Sequence, residues 1–248
     1  MTATTDGEAA PRPRRRLLRA QLKAAYWPTR SLEYHLLLLP EHRTVYVKNP
    51  KAACSTILLW MSRIHSGDHA FSPENIHVAH GLPPAHEVGW PRTMRLLSGR
   101  GYRFTFVREP MRRLESSFRD KIQLATDELW REPIRAVLGL GPTETPSFEQ
   151  FLTAIERQDP ASEMDPHWRP QHVNLMHPDV RYDRIGKVES LAEDLAAVCR
   201  DTGLPEIAVT SRNVRRPTGR QPSVFDDRPD LVERVRALYA LDYELYDY

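Results

Sequence analysis

The stretch Tyr46-Val47-Lys48-Asn49-Pro50-Lys51-Ala52-Ala53-Cys54-Ser55-Thr56 restricts this chain more than any other. It reads as a strand ending at Pro50, a tight loop of small residues and an apolar helix from about Thr56. The start of a helix carries unpaired backbone N–H groups and a partial positive charge, so it attracts anions. Small residues let an anion come close to the main chain. Lys51 adds a full charge, and Ser55 and Thr56 add hydroxyls. Such a strand–loop–helix is built as a phosphate cradle. It is not the common nucleotide loop G-x-x-x-x-G-K-[ST], which needs glycines and sets its lysine directly before the hydroxyl residue. Here the lysine opens the loop, and the loop holds no glycine.

A second constellation runs from Tyr102 to Lys121. Residues 102–107 alternate polar and apolar side chains of aromatic and β-branched type, which favours a strand. Pro110 suits the first turn of a helix, and Met111, Leu114, Phe118 and Ile122 then recur at helical spacing. Arg108 therefore falls at a strand end and Ser116 two turns into the next helix. A guanidinium and a hydroxyl so separated can grip one phosphate.

The loop resembles the 5′-phosphosulfate loop of sulfotransferases, which move a sulfuryl group from 3′-phosphoadenosine 5′-phosphosulfate (PAPS) to an acceptor. Lys51, Ala53, Cys54, Ser55 and Thr56 carry that likeness. The second segment resembles the 3′-phosphate motif of carbohydrate sulfotransferases of the chondroitin and dermatan type, through Phe106, Val107, Arg108, Glu109, Pro110, Arg113, Leu114, Ser116, Phe118 and Lys121. By this resemblance Arg108 and Ser116 hold the 3′-phosphate of PAPS. Three further stretches extend it: Asp165–Gln171, similar to a histidine-tryptophan-x-proline segment near the acceptor; Tyr182–Asp194; and the tail Leu238–Tyr248. It thus covers about residues 42–248 and implies that His167, Trp168 and Arg169 meet the acceptor. It also implies that a late basic loop folds over the nucleotide, with Arg215, Arg216 and Thr218 as contacts. The family's cysteines after the histidine-tryptophan segment are absent, and Met176 and His177 stand there instead.

Strands alternating with helices predict an α/β fold, and the resemblance makes it a P-loop-type three-layer sandwich, a central parallel sheet flanked by helices. Residues 29–248 are expected to form a single domain behind a basic, disordered tail, residues 1–28. Predicted elements are a strand at 43–48, helices at 55–65, 147–157 and 190–202, a strand at 182–186 and a last helix after Pro229. Residues 66–92 read as a long loop and 133–147 as a mobile excursion. The net charge of +2 implies no large nucleic-acid surface. Cys54 and Cys199 make no disulfide framework, which fits a reducing cytosol. No apolar run approaches the roughly 20 residues of a membrane span, so a cytoplasmic enzyme away from membranes is expected.

Sulfuryl transfer needs a cation at the leaving 5′-phosphate and a base at the acceptor hydroxyl. Lys51 suits the first task, and no metal is required because the loop supplies the charge. For the base, His80 is the first candidate and His77 the second, both lying between the two phosphate motifs. Both can equally be ordinary loop histidines, and His167–Trp168 a structural pair. The acceptor is expected to be a carbohydrate or glycosylated small molecule. Two other classes stay open at this point: a P-loop kinase-like phosphotransferase, against which the missing glycines speak, and a non-catalytic nucleotide or RNA binder using the arginine-rich segments.

Overall fold

The computed structural model describes residues 20–22, 32–125, 128–208 and 222–248. Its centre is a four-stranded sheet in the order β1 (Leu36–Leu39), β2 (Thr44–Val47), β3 (Tyr102–Val107) and β4 (Arg184–Lys187). β1 pairs antiparallel with β2, while β2, β3 and β4 run parallel. The sheet is thus mostly parallel, with an antiparallel edge strand that the expected parallel sheet did not include. The turn from β1 to β2 places Arg43 in the left-handed region, at φ 51°.

Each strand feeds both faces. Leu36, Leu38, Val45, Val47 and Val107 pack on one side with Met94, Leu97, Leu175 and Leu22. Leu37, Leu39, Tyr46, Phe104 and Phe106 pack on the other against α1 (Cys54–Ser66) and α7 (Leu191–Thr202). Burial on both faces is what nearly unbroken apolar strands such as Leu36–Leu39 require. Leu22 is buried in the core, so this residue does not belong to a free tail; the rest of that prediction falls almost wholly on residues outside those described.

The loop after α1 contains a helical turn at Ala85–Val88 and α2 (Trp90–Arg95), which carry Ala85 and Met94 into the core. After β3 come α3 (Pro110–Ser117) and a π-helical turn, Phe118–Gln123. Glu109 caps α3 by accepting from the Met111 and Arg112 N–H groups. Residues 133–138 of the expected excursion at 133–147 are instead the end of α4 (Arg131–Leu138), anchored by the fully buried Ile134, and residues 139–147 carry no helix or strand. α5 (Phe148–Ile155) starts with a capping box between Ser147 and Gln150. These helices, with α8 (Pro229–Leu238), build a third apolar cluster around Phe151, Trp168 and Tyr239. A one-turn α6 (Gln171–Asn174) and the final α9 (Ala240–Tyr246) complete the chain.

Gly186 in β4 lies directly opposite Phe106 in β3. A Cβ there would stand 2.5 Å from the Phe106 ring, which is itself locked edge-on to Phe104. Gly186→Ala is therefore expected to destabilise the fold by about 1–3 kcal/mol through overpacking. A lower denaturant midpoint at unchanged m-value would show it.

Candidate active site

β2 and β3 are parallel neighbours, so the chain leaves both on the same edge of the sheet, and both predicted phosphate grips lie there. Beyond β2 the backbone turns sharply. Lys51 and Ala53 both adopt left-handed conformations, φ 67° and 58°, at a cost of roughly 1 kcal/mol or more each for residues with a Cβ. The N–H groups of Thr56 and Ile57 reach back to the Ala53 carbonyl, and no side chain caps α1. The first turn of the helix is thus presented towards an incoming anion, with Cys54 and Ser55 half-buried beside it and Thr56 buried.

Lys51 reaches across to the π-helical turn, where its Nζ lies 3.2 Å from Asp120 Oδ2. Lys121 Nζ approaches the same carboxylate at 3.5 Å and lies over the Trp130 ring. Burial lowers the pKa of Lys51, and the charge and hydrogen bond of Asp120 oppose that shift. Lys48 is a second cation behind the loop, almost fully buried with its Nζ 3.0 Å above the Tyr34 ring. Its burial brings its pKa down to about 8.

The Arg108 guanidinium donates to the Lys51 carbonyl at 3.4 Å, so the two grips adjoin. Gln171 locks the strand ends together: its Oε1 accepts from Asn49 Nδ2 and the Arg108 N–H, and its Nε2 donates to the Arg108 carbonyl. Ser116 is half-buried on α3. Its neighbour Ser117 is turned away, donating to the Arg113 and His167 carbonyls. Arg215, Arg216 and Thr218 lie outside the described residues. The first described residues after them are tied to this end of the fold: Arg119 donates to the Pro222 carbonyl, and Glu115 accepts from Ser223 and Val224.

The histidines divide by geometry. His77 Nε2 lies 2.8 Å from Ser55 Oγ, on the loop itself. Desolvation and then the charge of Lys48 push its pKa down to about 4, so the ring is neutral. His80 Nδ1 accepts the Leu82 N–H at 3.0 Å. A neutral ring whose Nδ1 accepts carries its proton on Nε2. His80 therefore carries an N–H, not a lone pair, on its remaining nitrogen. His167 Nδ1 lies 2.6 Å from Asp165 Oδ1, and Trp130 packs edge-on to its ring.

The residues beside His167 are buried. Trp168 donates from Nε1 to Gln158 and packs on Phe151. The Arg169 guanidinium lies against the Met164 and Ala161 carbonyls. What sequence reasoning missed is Asp120, whose position beside Lys51 has no signal in local spacing, and Asp165, which the Asp-x-His pattern at 165–167 could have exposed.

Residues 34–248 match the model of the sulfotransferase family. The chain belongs to that family. Among curated proteins it is similar to carbohydrate sulfotransferase 12 of Xenopus laevis, 30% identical over 71% of this chain and 50% of that one. It is also similar to carbohydrate sulfotransferase 11 of Rattus norvegicus, at 27% over 86% and 67%, and to carbohydrate sulfotransferase 8 of Homo sapiens, at 27% over 84% and 54%. The chain thus spans between half and two thirds of the length of these relatives. No solved structure gives a significant match. Among the described residues, no helix is long and apolar enough to cross a membrane, and no cluster of metal-ligating side chains occurs.

Proposed function

We infer that this sulfotransferase-family chain transfers the sulfuryl group of PAPS to a carbohydrate hydroxyl, in a P-loop-type site. The observation that carries the reading is the meeting of two anion grips at adjacent strand ends, joined by the Arg108–Lys51 contact. One donor molecule has a phosphate for each. Its 5′-phosphosulfate fits the first turn of α1, with Lys51, Ala53, Cys54, Ser55 and Thr56 around it. Its 3′-phosphate fits Arg108 and Ser116, and Arg215, Arg216 and Thr218 are assigned to cover the nucleotide. The relatives' names speak for a carbohydrate acceptor.

Lys51 neutralises charge on the leaving 5′-phosphate as the S–O bond breaks. Uncapped N–H groups at the start of α1 add fixed dipoles that need no rearrangement. His77, neutral and against Ser55, steadies the loop hydroxyl at the same place. Calorimetry tests the donor assignment: adenosine 3′,5′-bisphosphate is expected to bind without metal, and tighter binding of magnesium-ATP would favour a kinase instead. Transfer is read by mass spectrometry as addition of one sulfate to candidate glycosides.

Arg108→Ala should weaken binding of adenosine 3′,5′-bisphosphate about 10- to 100-fold, the equivalent of one charge-assisted contact of roughly 1.5–3 kcal/mol. Adenosine 5′-monophosphate, which lacks the 3′-phosphate, should lose much less. Equal losses for the two nucleotides would remove Arg108 from the 3′-phosphate.

A further inference from the structure

We propose that His167, held by Asp165, is the base that takes the proton from the acceptor hydroxyl. The proposal rests on the sulfuryl-transfer reading above. Its foundation is a directed dyad. Asp165 Oδ1 accepts both from His167 Nδ1, at 2.6 Å, and from the His167 backbone N–H, at 2.9 Å. A carboxylate only accepts, so Nδ1 carries the ring proton and Nε2 presents a lone pair. This is the tautomer a base requires, and it is opposite to the one the Leu82 N–H imposes on His80.

The turn bearing His167 is held at several points. Arg113 donates to the Pro166 and Arg169 carbonyls, Asn174 also to Pro166, and Ser117 to the carbonyl of His167 itself. Trp130 lies edge-on at 4.9 Å between ring centroids and limits rotation of the imidazole. A group so fixed needs little reorganisation when it acts. The ring adjoins the Lys51 end of the site through Trp130, which packs on it and carries the Lys121 ammonium 4.5 Å over its own ring, and Lys121 shares Asp120 with Lys51.

The acceptor oxygen attacks sulfur while its proton passes to His167 Nε2. The bond between sulfur and the bridging oxygen breaks, and its electron pair stays on the 5′-phosphate beside Lys51. The products are a sulfate ester, adenosine 3′,5′-bisphosphate and an imidazolium that returns its proton to water. Asp165 is a positioning residue: it fixes the tautomer and faces the imidazolium as it forms.

Burial lowers the pKa of His167, with Lys121 and Lys51 acting in the same direction and Asp165 opposing them. The base works when neutral, so turnover should be complete near pH 7 and fall as pH drops through a value below the ordinary imidazole figure of about 6.5. The test uses the full chain with PAPS, water serving as acceptor, and reads release of inorganic sulfate against pH. His167→Gln should lose about 100-fold or more and the acid limb with it, while His80→Gln keeps that limb. Asp165→Asn should lower turnover and, by ¹⁵N histidine spectroscopy, shift the His167 proton from Nδ1 towards Nε2. Both the His167 and Asp165 variants should still bind adenosine 3′,5′-bisphosphate within a few-fold of the parent. Retained turnover in His167→Gln, or a parent ring already protonated at Nε2, would overturn the base assignment and leave the donor reading standing. A parent protein that fails to bind the nucleotide would overturn both.

Discussion

Lys51→Ala is expected to reduce sulfuryl transfer by about 10²–10³-fold, the scale seen when one preorganised donor to a developing oxyanion is removed. Affinity for adenosine 3′,5′-bisphosphate should fall only about tenfold. The asymmetry follows from where charge develops. In the proposed complex the ground-state 5′-phosphate is already held by the N–H groups of α1 and shares the positive surroundings of Lys121 and Arg108. As the bond to sulfur breaks, a further negative charge collects on the bridging oxygen, and Lys51 is the cation placed to meet it. Its ammonium is largely buried beside Asp120, so the interaction is little screened by water. Single-turnover transfer from PAPS measured beside calorimetry of the nucleotide separates the two effects. Loss of affinity with an unchanged transfer rate would make Lys51 a binding group alone.

The pairing of Lys51 with Asp120 has its own consequence for that experiment. A lysine stem is flexible, and an unpartnered ammonium would sample many positions. Asp120 holds it near one. The carboxylate is itself kept ionised, because Lys51 and Lys121 lower its pKa against the opposing effect of burial. In the proposed complex the sulfuryl and phosphate oxygens of PAPS compete with Asp120 for the same amine. The pair therefore orients the lysine but also tempers its charge.

Much of the fold was legible because the physical signals are local. The alternation at 102–107 and Pro110 at a helix start each fixed an element to within a residue or two, and the helices expected at 147–157 and 190–202 are α5 and α7. The antiparallel β1 was missed because four consecutive leucines have no period of their own; only pairing with β2 turns them into a strand. α4 was hidden by Pro133 and the glycines that follow it, although a proline near the start of a helix is tolerated.

The site was legible where a residue acts through its own backbone position and illegible where it acts through a distant partner. Lys51 and Arg108 could be set near one another because each follows the end of a strand, and the two do adjoin. The burial of Trp168 and Arg169 was not legible, because residue type alone does not say which way a side chain faces. Gln171, more than sixty residues from Arg108 in sequence, joins the two grips through side-chain and backbone contacts that no local pattern encodes. The same holds for Asp242, a fully buried carboxylate on α9 that accepts from the Gln171 and His172 N–H groups and so anchors α6.

Arg113 is the strongest such case, and its replacement should have the largest effect on stability. The side chain is 1% exposed, and its guanidinium donates to three carbonyls: Pro50 at 3.0 Å, Arg169 at 2.8 Å and Pro166 at 2.8 Å. One cation thus ties α3 to the phosphate loop and to the turn that bears His167. Burial lowers its pKa, yet a guanidinium titrates far above any working pH and stays charged. Arg113→Ala leaves the Pro50 and Arg169 carbonyls without this donor, the Pro166 carbonyl with Asn174 alone, and a cavity in their midst. The expected cost is about 3–5 kcal/mol, or roughly 10 °C in melting temperature for a domain of this size. Arg113→Lys should recover only part of it, since an ammonium lacks the planar fork that serves all three acceptors. Arg113→Met fills the volume without donating and separates packing from hydrogen bonding. Thermal unfolding followed by circular dichroism reads the series, with alanine lowest, methionine and lysine intermediate and the parent highest. Equal stability of the methionine variant and the parent would show that the carbonyls find other partners and that the clamp is dispensable. Because the clamp also sets the distance between Lys51 and His167, each variant that folds should lose turnover beyond what its folded fraction explains.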